Sequence, residues 1–445
     1  MTTIVQASEL ATRLTGYERA VLCYIDRDGY PVNVATGFRV DEPGVVYLEA
    51  FDAPDAPKAG DDVELIFSHV RPRPGVGYDE RRYVNVWGTL HKAFGELVVV
   101  PTRVGGWSEQ HVPFVEYCER NVPRAHDYLR RLSDERGSPV RARLPLRWRL
   151  FLATRVPFLT ATLVPVLLGA VIARANGHSA WWFTALAFAG AVCIHLGLNV
   201  LNDIYDTSSG ADPANVTPTP FSGGSRVILY GLVSRRWMRT LAAGLFGVGI
   251  AIGVALAVVR TTEILWLGVA GIFLSVFYTA PPLKLVHHGL GDIAVAIGFG
   301  PIMTLGTYAV VARTLSLEAL YASLPVGIFV MLILYVNQVP DRRGDAASGK
   351  RTVAVRFDRN AIIRGYDIFV VLAFGLIVTG VATTVLPLWT SLACLAAPLG
   401  VRVHRGLRDH YDEPYGLVPA LAANIGLHLL TGIGLVAGYL VDIVV

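Results

Sequence analysis

Long apolar runs fill the chain from about residue 152 to its end, whereas the first third has only short ones. Nine stretches are apolar enough for membrane-spanning helices, which need about 17 to 25 apolar residues each. The seventh and eighth are separated only by the region of Pro387, so eight spans also fit the pattern. The predicted spans are 152–173, 181–203, 238–259, 263–280, 290–312, 319–338, 365–385, 386–402 and 416–443.

Residues 1–140 show the alternating apolar and polar positions that are typical of β-strands, with Gly and Pro between the runs. The first two runs are joined at Asp28-Gly29, a dipeptide that favours a hairpin turn. A polar segment, FVEYCERNVPRAHDYLRRLSDERG, predicts a helix at the end of this region. The pattern therefore predicts a multidomain protein: a soluble β-rich barrel (1–140), a basic hinge (141–151) and an all-α bundle of nine transmembrane helices (152–445).

Composition agrees with a protein that lies mostly in a membrane. Hydrophobic residues make up 53% of the 445 positions and charged residues only 17%, with a mean hydropathy of +0.47. A net charge of +4 without a long basic run argues against a nucleic-acid partner. The four cysteines are scattered and predict neither a disulfide framework nor a zinc site. They are Cys23, Cys118, Cys193 and Cys394.

Basic residues are distributed unevenly between the connectors. The connectors after spans two, four, six and eight hold most of the Arg and Lys residues, whereas those on the other side carry only Arg174, Arg260 and Arg313. The positive-inside rule then predicts that the N-terminal domain and the basic connectors are cytoplasmic and that the C-terminus lies outside.

A row of polar residues interrupts the apolar pattern at the end of span two. Asn199, Asp203 and Asp206 recur at i, i+4 and i+7, which places them on one helix face, with Asn202 beside them. A carboxylate near the bilayer centre costs about 2.5 to 3.5 kcal/mol on insertion scales. Such a row therefore needs a water-filled cavity, a cation, or both.

A second row stands at the end of span six, where Asn337, Asp341 and Asp345 follow an i, i+4, i+8 series. Two facing carboxylate rows suit Mg²⁺, which is usually bound through a few carboxylates together with substrate phosphates. Nearby cations would neutralise a departing diphosphate. The basic residues close to the two rows are Arg226, Arg342, Arg343, Lys350 and Arg351.

The predicted topology favours a substrate with a charged head and an apolar tail, because both rows lie at the cytoplasmic ends of their spans above an apolar bundle. A polyprenyl diphosphate has this form. Metal-assisted loss of diphosphate would leave an allylic carbocation for an electron-rich acceptor to trap, and the bundle would have to exclude water from it.

Several motifs occur in order between the spans: NVLNDIYDTSSGAD, PFSGGSRV, YTAPPLKL, HGLGDI and NQVPDRRGDAASGKRTVAVR. Together they resemble the UbiA-type intramembrane prenyltransferases, over about residues 145 to 445. The runs Gly210-Ala211-Asp212, FSGG at 221–224 and GKRT at 349–352 are most similar to the 1,4-dihydroxy-2-naphthoate prenyltransferases of menaquinone synthesis.

The resemblance implies nine helices, Mg²⁺ and a polyprenyl diphosphate donor, and it assigns roles to matching positions. The implied metal and diphosphate ligands are Asp203, Asp206, Asp212, Asp341 and Asp345. The implied catalytic residues are Asp203, Asp206, Asp341 and Asp345, together with Tyr278 near the reacting centre. The implied substrate-binding residues are Asn199, Asn202, Asn337, Arg226, Lys284, Lys350 and Arg351.

Two departures from the family pattern stand out. Asp292 occupies a position where a glutamate is expected, and Pro340 lies inside the second row, where it predicts a kink or the end of span six.

The N-terminal region resembles the FMN-binding split barrel of the pyridoxamine-phosphate-oxidase-like superfamily, in DRDGYPVNVATG and RRYVNVWGTL. That resemblance implies a split barrel and a flavin such as FMN as a candidate cofactor, without identifying contact residues. Its fusion to the membrane domain suggests a redox-active aromatic acceptor or product.

Three hypotheses follow from the sequence. The first is Mg²⁺-dependent prenyl transfer to an aromatic acceptor such as dihydroxynaphthoate. The second is transfer to a non-aromatic acceptor, a phosphosugar or a glycerol phosphate. The third is a membrane transporter or lipid-binding protein with a flavin-sensing domain. Neither the prenyl chain length nor the oligomeric state can be predicted from these patterns.

Overall fold

The structure is a computed structural model that describes residues 9–41, 44–53, 55–74 and 77–445. It contains two compact units, Met1–Asn121 and Val122–Val445. The division falls inside a helix, Phe114–Arg136, ahead of the boundary predicted at residue 140.

The first unit is built around one antiparallel sheet, which confirms the predicted strand-rich domain. Its strand order is β2-β1-β5-β6-β7-β4-β3. The two outermost strands, β2 and β3, are separated in the chain only by Gly37, so the sheet must curl until its edges approach each other, as in a half-barrel. A short helix, α1 (Leu10–Leu14), contributes to its core. The strands are β1 (Ala20–Ile25), β2 (Pro31–Thr36), β3 (Phe38–Val40), β4 (Val46–Leu48), β5 (Asp62–Arg73), β6 (Gly77–Ala93) and β7 (Glu96–Ser108).

The predicted hairpin at Asp28-Gly29 is confirmed. Strands β1 and β2 pair antiparallel, from Ala20 opposite Thr36 to Ile25 opposite Pro31. The side chain of Asp26 accepts hydrogen bonds from the backbone N–H groups of Asp28 (3.0 Å) and Tyr30 (2.8 Å). Gly29 adopts a φ of 87°, in the left-handed region that glycine tolerates without strain.

The second unit is helical, and its elements are listed here in chain order. They are α2 (Phe114–Arg136), which begins in the first unit, α3 (Leu146–Thr154), α4 (Thr160–Ala175), α5 (Trp181–Ser209), α6 (Ala211–Ala214), α7 (Arg235–Val259), α8 (Glu263–Phe277), α9 (Gly291–Ile297), α10 (Met303–Ala312), α11 (Leu317–Ala347), α12 (Val353–Arg356), α13 (Arg359–Ala382), α14 (Ala397–His410) and α15 (Val418–Val444). A π-helical turn, Gly298–Ile302, joins α9 to α10, and 3₁₀ turns cover Val156–Leu159, Leu285–His288 and Leu388–Ala396.

Seven helical segments in the described part of the chain are long and apolar enough to cross a bilayer. They are Val156–Ala175, Trp181–Ser209, Arg235–Val259, Gly291–Ala312, Leu317–Ala347, Arg359–Ala382 and Val418–Val444. The predicted span 263–280 forms the 15-residue helix α8, and the predicted span 386–402 forms a 3₁₀ segment that continues into α14. The chain is therefore a membrane protein with an all-α membrane domain, but the predicted count of nine spans is not confirmed.

Helix α11 is the central element of this unit, because 72% of the residues in its 18-residue apolar stretch are buried. Its side chains Phe329, Leu332 and Val336 form one core with Tyr366 of α13 and Leu427 of α15. Its first turn is capped by Ser316, whose side chain accepts a hydrogen bond from the N–H of Ala319 at 3.2 Å. The helix continues through Pro340 to Ala347, so it does not end at that proline as the sequence allowed.

Candidate active site

The first polar row lies on the last turns of α5, where Asp203 and Asp206 are buried. The helix ends at Gly210, which adopts a φ of 89° and turns the chain into the short helix α6. Asp212 on α6 is thereby brought back towards the row, and Thr207 of α5 donates a hydrogen bond to its Oδ2 at 3.3 Å. The carboxylates that the sequence grouped are thus gathered by a helix end and a glycine turn.

The second row lies on α11 and is tied to the loop that follows α6. Asp341 accepts hydrogen bonds from Nδ2 of Asn215 (2.8 Å) and from the backbone N–H of Gly223 (3.0 Å). Gly223 and Gly224 both have positive φ, and a Cβ on Gly224 would lie 2.8 Å from the carboxylate oxygens of Asp212. The FSGG run is therefore held close to both rows by glycine backbone that a larger residue would disturb.

Lys350 joins the two rows. Its Nζ lies 3.1 Å from Asp206 Oδ2 and 3.5 Å from Asp345 Oδ1, and Thr352 donates to Asp345 Oδ2 at 3.3 Å. Burial alone would lower the pKa of the Lys350 ammonium, but the charges of Asp206 and Asp345 outweigh it, so the pKa is raised above its ordinary value. The lysine stays charged and holds two carboxylates that would otherwise repel each other.

Arg155 is a site residue that the sequence analysis did not single out, and it lies near the start of the predicted span 152–173. Its guanidinium forms an ion pair with Asp203, and its Nη2 lies 3.4 Å from Asn202 Oδ1. Asp203 also accepts from the N–H of Ser225, at 3.2 Å to Oδ2. The backbone of Arg155 is left-handed (φ 54°) between α3 and the first span. The pattern of charged residues along the sequence does not indicate the contact between Arg155 and Asp203.

Three of the predicted substrate-binding residues do not line the cavity in which the two rows meet. Arg226 is buried and donates to the carbonyl oxygens of Asp212 (3.1 Å), Gly223 (3.3 Å) and Asn215 (2.9 Å), so it organises the loop between α6 and α7. Lys284 and Arg351 are not among the residues that line the polar cavity described next.

The remaining predicted residues, except Asp203, line a cavity of about 180 Å³. Arg155 and Gln338, which the sequence did not single out, line it as well, and Gln338 donates to both carboxylate oxygens of Asp292 at 2.9 and 3.0 Å. We call this space the polar cavity. The predicted residues that line it are Asn199, Asn202, Asp206, Asp212, Tyr278, Asn337, Asp341, Asp345 and Lys350.

A second space, the apolar cavity, has a volume of about 260 Å³ and lies between α5, α7, α8 and the α9–α10 segment. Its lining is almost entirely hydrocarbon, apart from a few side chains such as Ser275 and Thr307. The two cavities share one wall, so a head group in the polar cavity and a tail in the apolar cavity would be continuous. The shared residues are His195, Leu198, Tyr278, Val295 and Phe299.

The polar cavity suits a divalent cation bound together with a substrate. Asp206 Oδ1 is buried and has no hydrogen-bond partner in the described structure. Burial, followed by the charges of Asp206 and Asp203, raises the pKa of the Asp212 carboxyl well above its usual range, which indicates surplus negative charge. No three acidic, His or Cys side chains among the described residues form a complete metal-ligand group by themselves. Mg²⁺ needs only one or two carboxylates when phosphates supply the other ligands.

Comparison with known proteins decides the family. The model of the UbiA prenyltransferase family matches residues 162–425, which contain both polar rows and every residue that lines the apolar cavity. This chain belongs to the UbiA prenyltransferase family. The predicted family is thus confirmed, and with it the predicted enzyme class, a prenyltransferase. Membership in an enzyme family leaves no support for the transporter hypothesis.

Relatives are similar over about two thirds of the chain and most of their own length. A 2-carboxy-1,4-naphthoquinone phytyltransferase of Synechocystis is 27% identical over 300 residues, which are 66% of this chain and 94% of the relative. A 1,4-dihydroxy-2-naphthoate octaprenyltransferase of Bacillus subtilis is 24% identical over 66% of this chain and 92% of its own. Another, of Mycobacterium tuberculosis, is 30% identical over 62% of this chain and 91% of its own.

Solved structures of UbiA homologs are similar at lower identity. The apo structure of a homolog from Aeropyrum pernix is 16% identical with a TM-score of 0.47. The match covers 63% of this chain and 97% of the homolog. A homolog from Archaeoglobus fulgidus, bound to GPP and Mg²⁺, is 12% identical with a TM-score of 0.43. The match covers 65% of this chain and 99% of the homolog.

The family match begins at residue 162, so it does not include the N-terminal unit. Flavin binding by that unit stays a prediction from resemblance.

Proposed function

We propose that this UbiA-family enzyme transfers a polyprenyl group from a polyprenyl diphosphate to 1,4-dihydroxy-2-naphthoate, in a Mg²⁺-dependent reaction of quinone synthesis. The observation that carries the proposal is the shared wall between the polar and the apolar cavity. A diphosphate head and a prenyl tail need these two environments side by side. The distribution of basic connectors supports a site that opens to the cytoplasm.

The head group would lie among the carboxylates and Lys350. Asp206 and Asp345, joined through Lys350, and Asp212 and Asp341 are the residues that would hold Mg²⁺. The ion, when bound, neutralises the charge that develops on the diphosphate as it leaves. Lys350 supplies a further fixed positive charge that needs no reorganisation during the reaction. Asp203, a buried member of the first row, is held in its orientation by its ion pair with Arg155.

The reacting carbon would lie at the wall that the two cavities share. Tyr278 and Phe299 are aromatic members of this wall, and aromatic faces stabilise a nearby cation electrostatically. Asn199 uses its amide N–H to donate to the carbonyl of Thr154 at 3.1 Å, which fixes its side chain in the polar cavity. The hydrocarbon lining beyond the wall excludes water from an allylic cation.

The acceptor assignment is supported by what relatives are named for. The proteins of Bacillus subtilis and Mycobacterium tuberculosis are named for 1,4-dihydroxy-2-naphthoate, and the Synechocystis relative for a related carboxylated naphthoquinone. The runs FSGG and GKRT, which favoured this subfamily, both lie beside the second row, at Gly223 and Lys350.

A panel of acceptors tests this assignment. The purified full-length protein is incubated with Mg²⁺, a polyprenyl diphosphate and one acceptor at a time, and products are identified by mass spectrometry. We expect a prenylated product with 1,4-dihydroxy-2-naphthoate and none with a glycerol phosphate or a phosphosugar. A product only with one of the latter would overturn the acceptor assignment and favour the second hypothesis.

A further inference from the structure

The arginines between the N-terminal unit and the first membrane span are not used by the active site, apart from Arg155. Several of them converge on one groove that lies entirely within the unit Val122–Val445. We call it the arginine groove. Its volume is about 740 Å³, and its functional lining consists of Arg130, Arg141, Arg143, Arg149, Tyr230 and Trp237.

The charge in the arginine groove is largely uncompensated. Among the described residues that line the groove, none has an acidic side chain. Arg130 forms an exposed ion pair with Asp127 at 3.1 Å, but Arg141, Arg143 and Arg149 form no salt bridge within the described ranges. Arg149 Nε is buried without a hydrogen-bond partner in the same part of the structure. Such a group calls for an anion that accepts from a guanidinium.

The position of the groove points to the bilayer surface. Arg149 belongs to α3, which ends at Thr154 directly before the first membrane segment, Val156–Ala175. On the same helix Trp148, Phe151 and Leu152 recur at i, i+3 and i+4, and their side chains are exposed. An exposed apolar helix face beside a membrane span is covered by lipid, and its aromatic residues suit the interface.

We propose that the arginine groove binds the head group of an anionic phospholipid, whose acyl chains lie along the exposed face of α3. The phosphate would accept hydrogen bonds from Arg141, Arg143 and Arg149. The positive-inside rule requires only that basic residues be present on this side of the membrane. It does not require them to line one groove beside Tyr230 and Trp237, which are residue types that favour lipid head groups.

Lipid titration of the delipidated full-length protein in neutral detergent tests this proposal, with native mass spectrometry as the readout. Phosphatidylglycerol and phosphatidylcholine with the same acyl chains are the probes. We expect phosphatidylglycerol to bind at least about tenfold more tightly, and Arg141→Gln/Arg143→Gln to remove about tenfold of that preference. Both residues are exposed, so the change does not disturb a core.

The matched control is Arg402→Gln/Arg405→Gln, which removes the same charge from exposed positions of α14 outside the groove. We expect it to leave the lipid preference within about twofold of the unchanged protein. Equal losses in both variants, or no preference for phosphatidylglycerol, would overturn the proposal. Displacement of the lipid by millimolar inorganic phosphate would also overturn it, because the groove would then be a site for a soluble anion.

Discussion

Lys350 Nζ lies 3.1 Å from Asp206 Oδ2, although 144 positions separate the two residues in the chain. The same nitrogen lies 3.5 Å from Asp345. The two polar rows therefore meet around a cation that the protein itself supplies. This contact places Lys350 in competition with an added divalent cation for the same carboxylates, and it also places a positive charge where a diphosphate would lie.

Lys350→Gln should separate these two effects. Without the competing ammonium, Mg²⁺ alone should stabilise the protein more strongly than it stabilises the unchanged protein, as measured by the midpoint of thermal unfolding. The KM for polyprenyl diphosphate should rise about tenfold or more, because one charge-assisted contact to diphosphate is lost. Lys350→Arg, which keeps the charge, should show neither the full KM effect nor the stronger Mg²⁺ response. A Lys350→Gln variant with an unchanged KM would show that the lysine is only structural.

The ion pair between Arg155 and Asp203 should contribute to stability through the carboxylate that it neutralises. Asp203 is only 2% exposed, and its partner is 23% exposed. Arg155→Gln should lower the free energy of unfolding by about 3 kcal/mol in the absence of Mg²⁺, because it leaves a buried charge unpaired. Denaturant titration in mild detergent measures this. The double variant Arg155→Gln/Asp203→Asn should recover part of the loss, whereas no recovery would mean that Arg155 acts through packing.

The apolar cavity should set the length of the prenyl chain that fits. Gly253 of α7 lines it, and a Cβ added there meets no atom within 4 Å. Gly253→Leu should therefore fill part of the space and shift the preferred donor towards shorter prenyl diphosphates. Ratios of kcat/KM for donors of different length measure the shift.

Gly244 is a matched control for that change. It lies on the same helix, is equally open around its Cβ position, and does not line the apolar cavity. Gly244→Leu should leave the donor preference unchanged. The same shift in both variants would place the chain-length determinant elsewhere.

Asp341 should have a structural role in addition to any part in cation binding. It accepts from Asn215 and from the backbone of Gly223, so it holds the loop between α6 and α7 against α11. Asp341→Ala should make residues 215–225 more sensitive to limited proteolysis. Asp206→Asn should not, because Asp206 makes no contact with that loop among the described hydrogen bonds. Equal proteolysis of all three proteins would contradict this role.

The sequence was sufficient where the pattern is local. Asn199, Asp206, Asn337 and Asp345 were predicted from their spacing along single helices, and the structure brings them to one cavity. Helical periodicity depends only on neighbouring residues, so it can be recognised without tertiary structure. The strand-rich first unit was likewise indicated by alternating runs and one Asp-Gly turn.

The sequence was insufficient where a residue depends on distant backbone geometry. Arg155 forms an ion pair with Asp203, 48 positions away in the chain, and its own backbone is left-handed; no charge pattern indicates either feature. Arg226 is predicted to contact diphosphate, and no sequence pattern indicates that its Nη1 and Nη2 donate to three carbonyl oxygens of the folded loop between α6 and α7. Apolar composition also did not distinguish a membrane-spanning α-helix from the 3₁₀ segment Leu388–Ala396.

The central claim is that the two rows form one Mg²⁺ and diphosphate site, and Asp206→Asn tests it most directly. The measurement is diphosphate release by the purified full-length protein with a polyprenyl diphosphate and 1,4-dihydroxy-2-naphthoate, with Mg²⁺ or with chelator. We predict release that requires Mg²⁺ and that falls about 100-fold or more in Asp206→Asn, with little change in Asp412→Asn, whose side chain is 62% exposed. Release that persists in chelator, or that Asp206→Asn retains at full rate, would contradict the account.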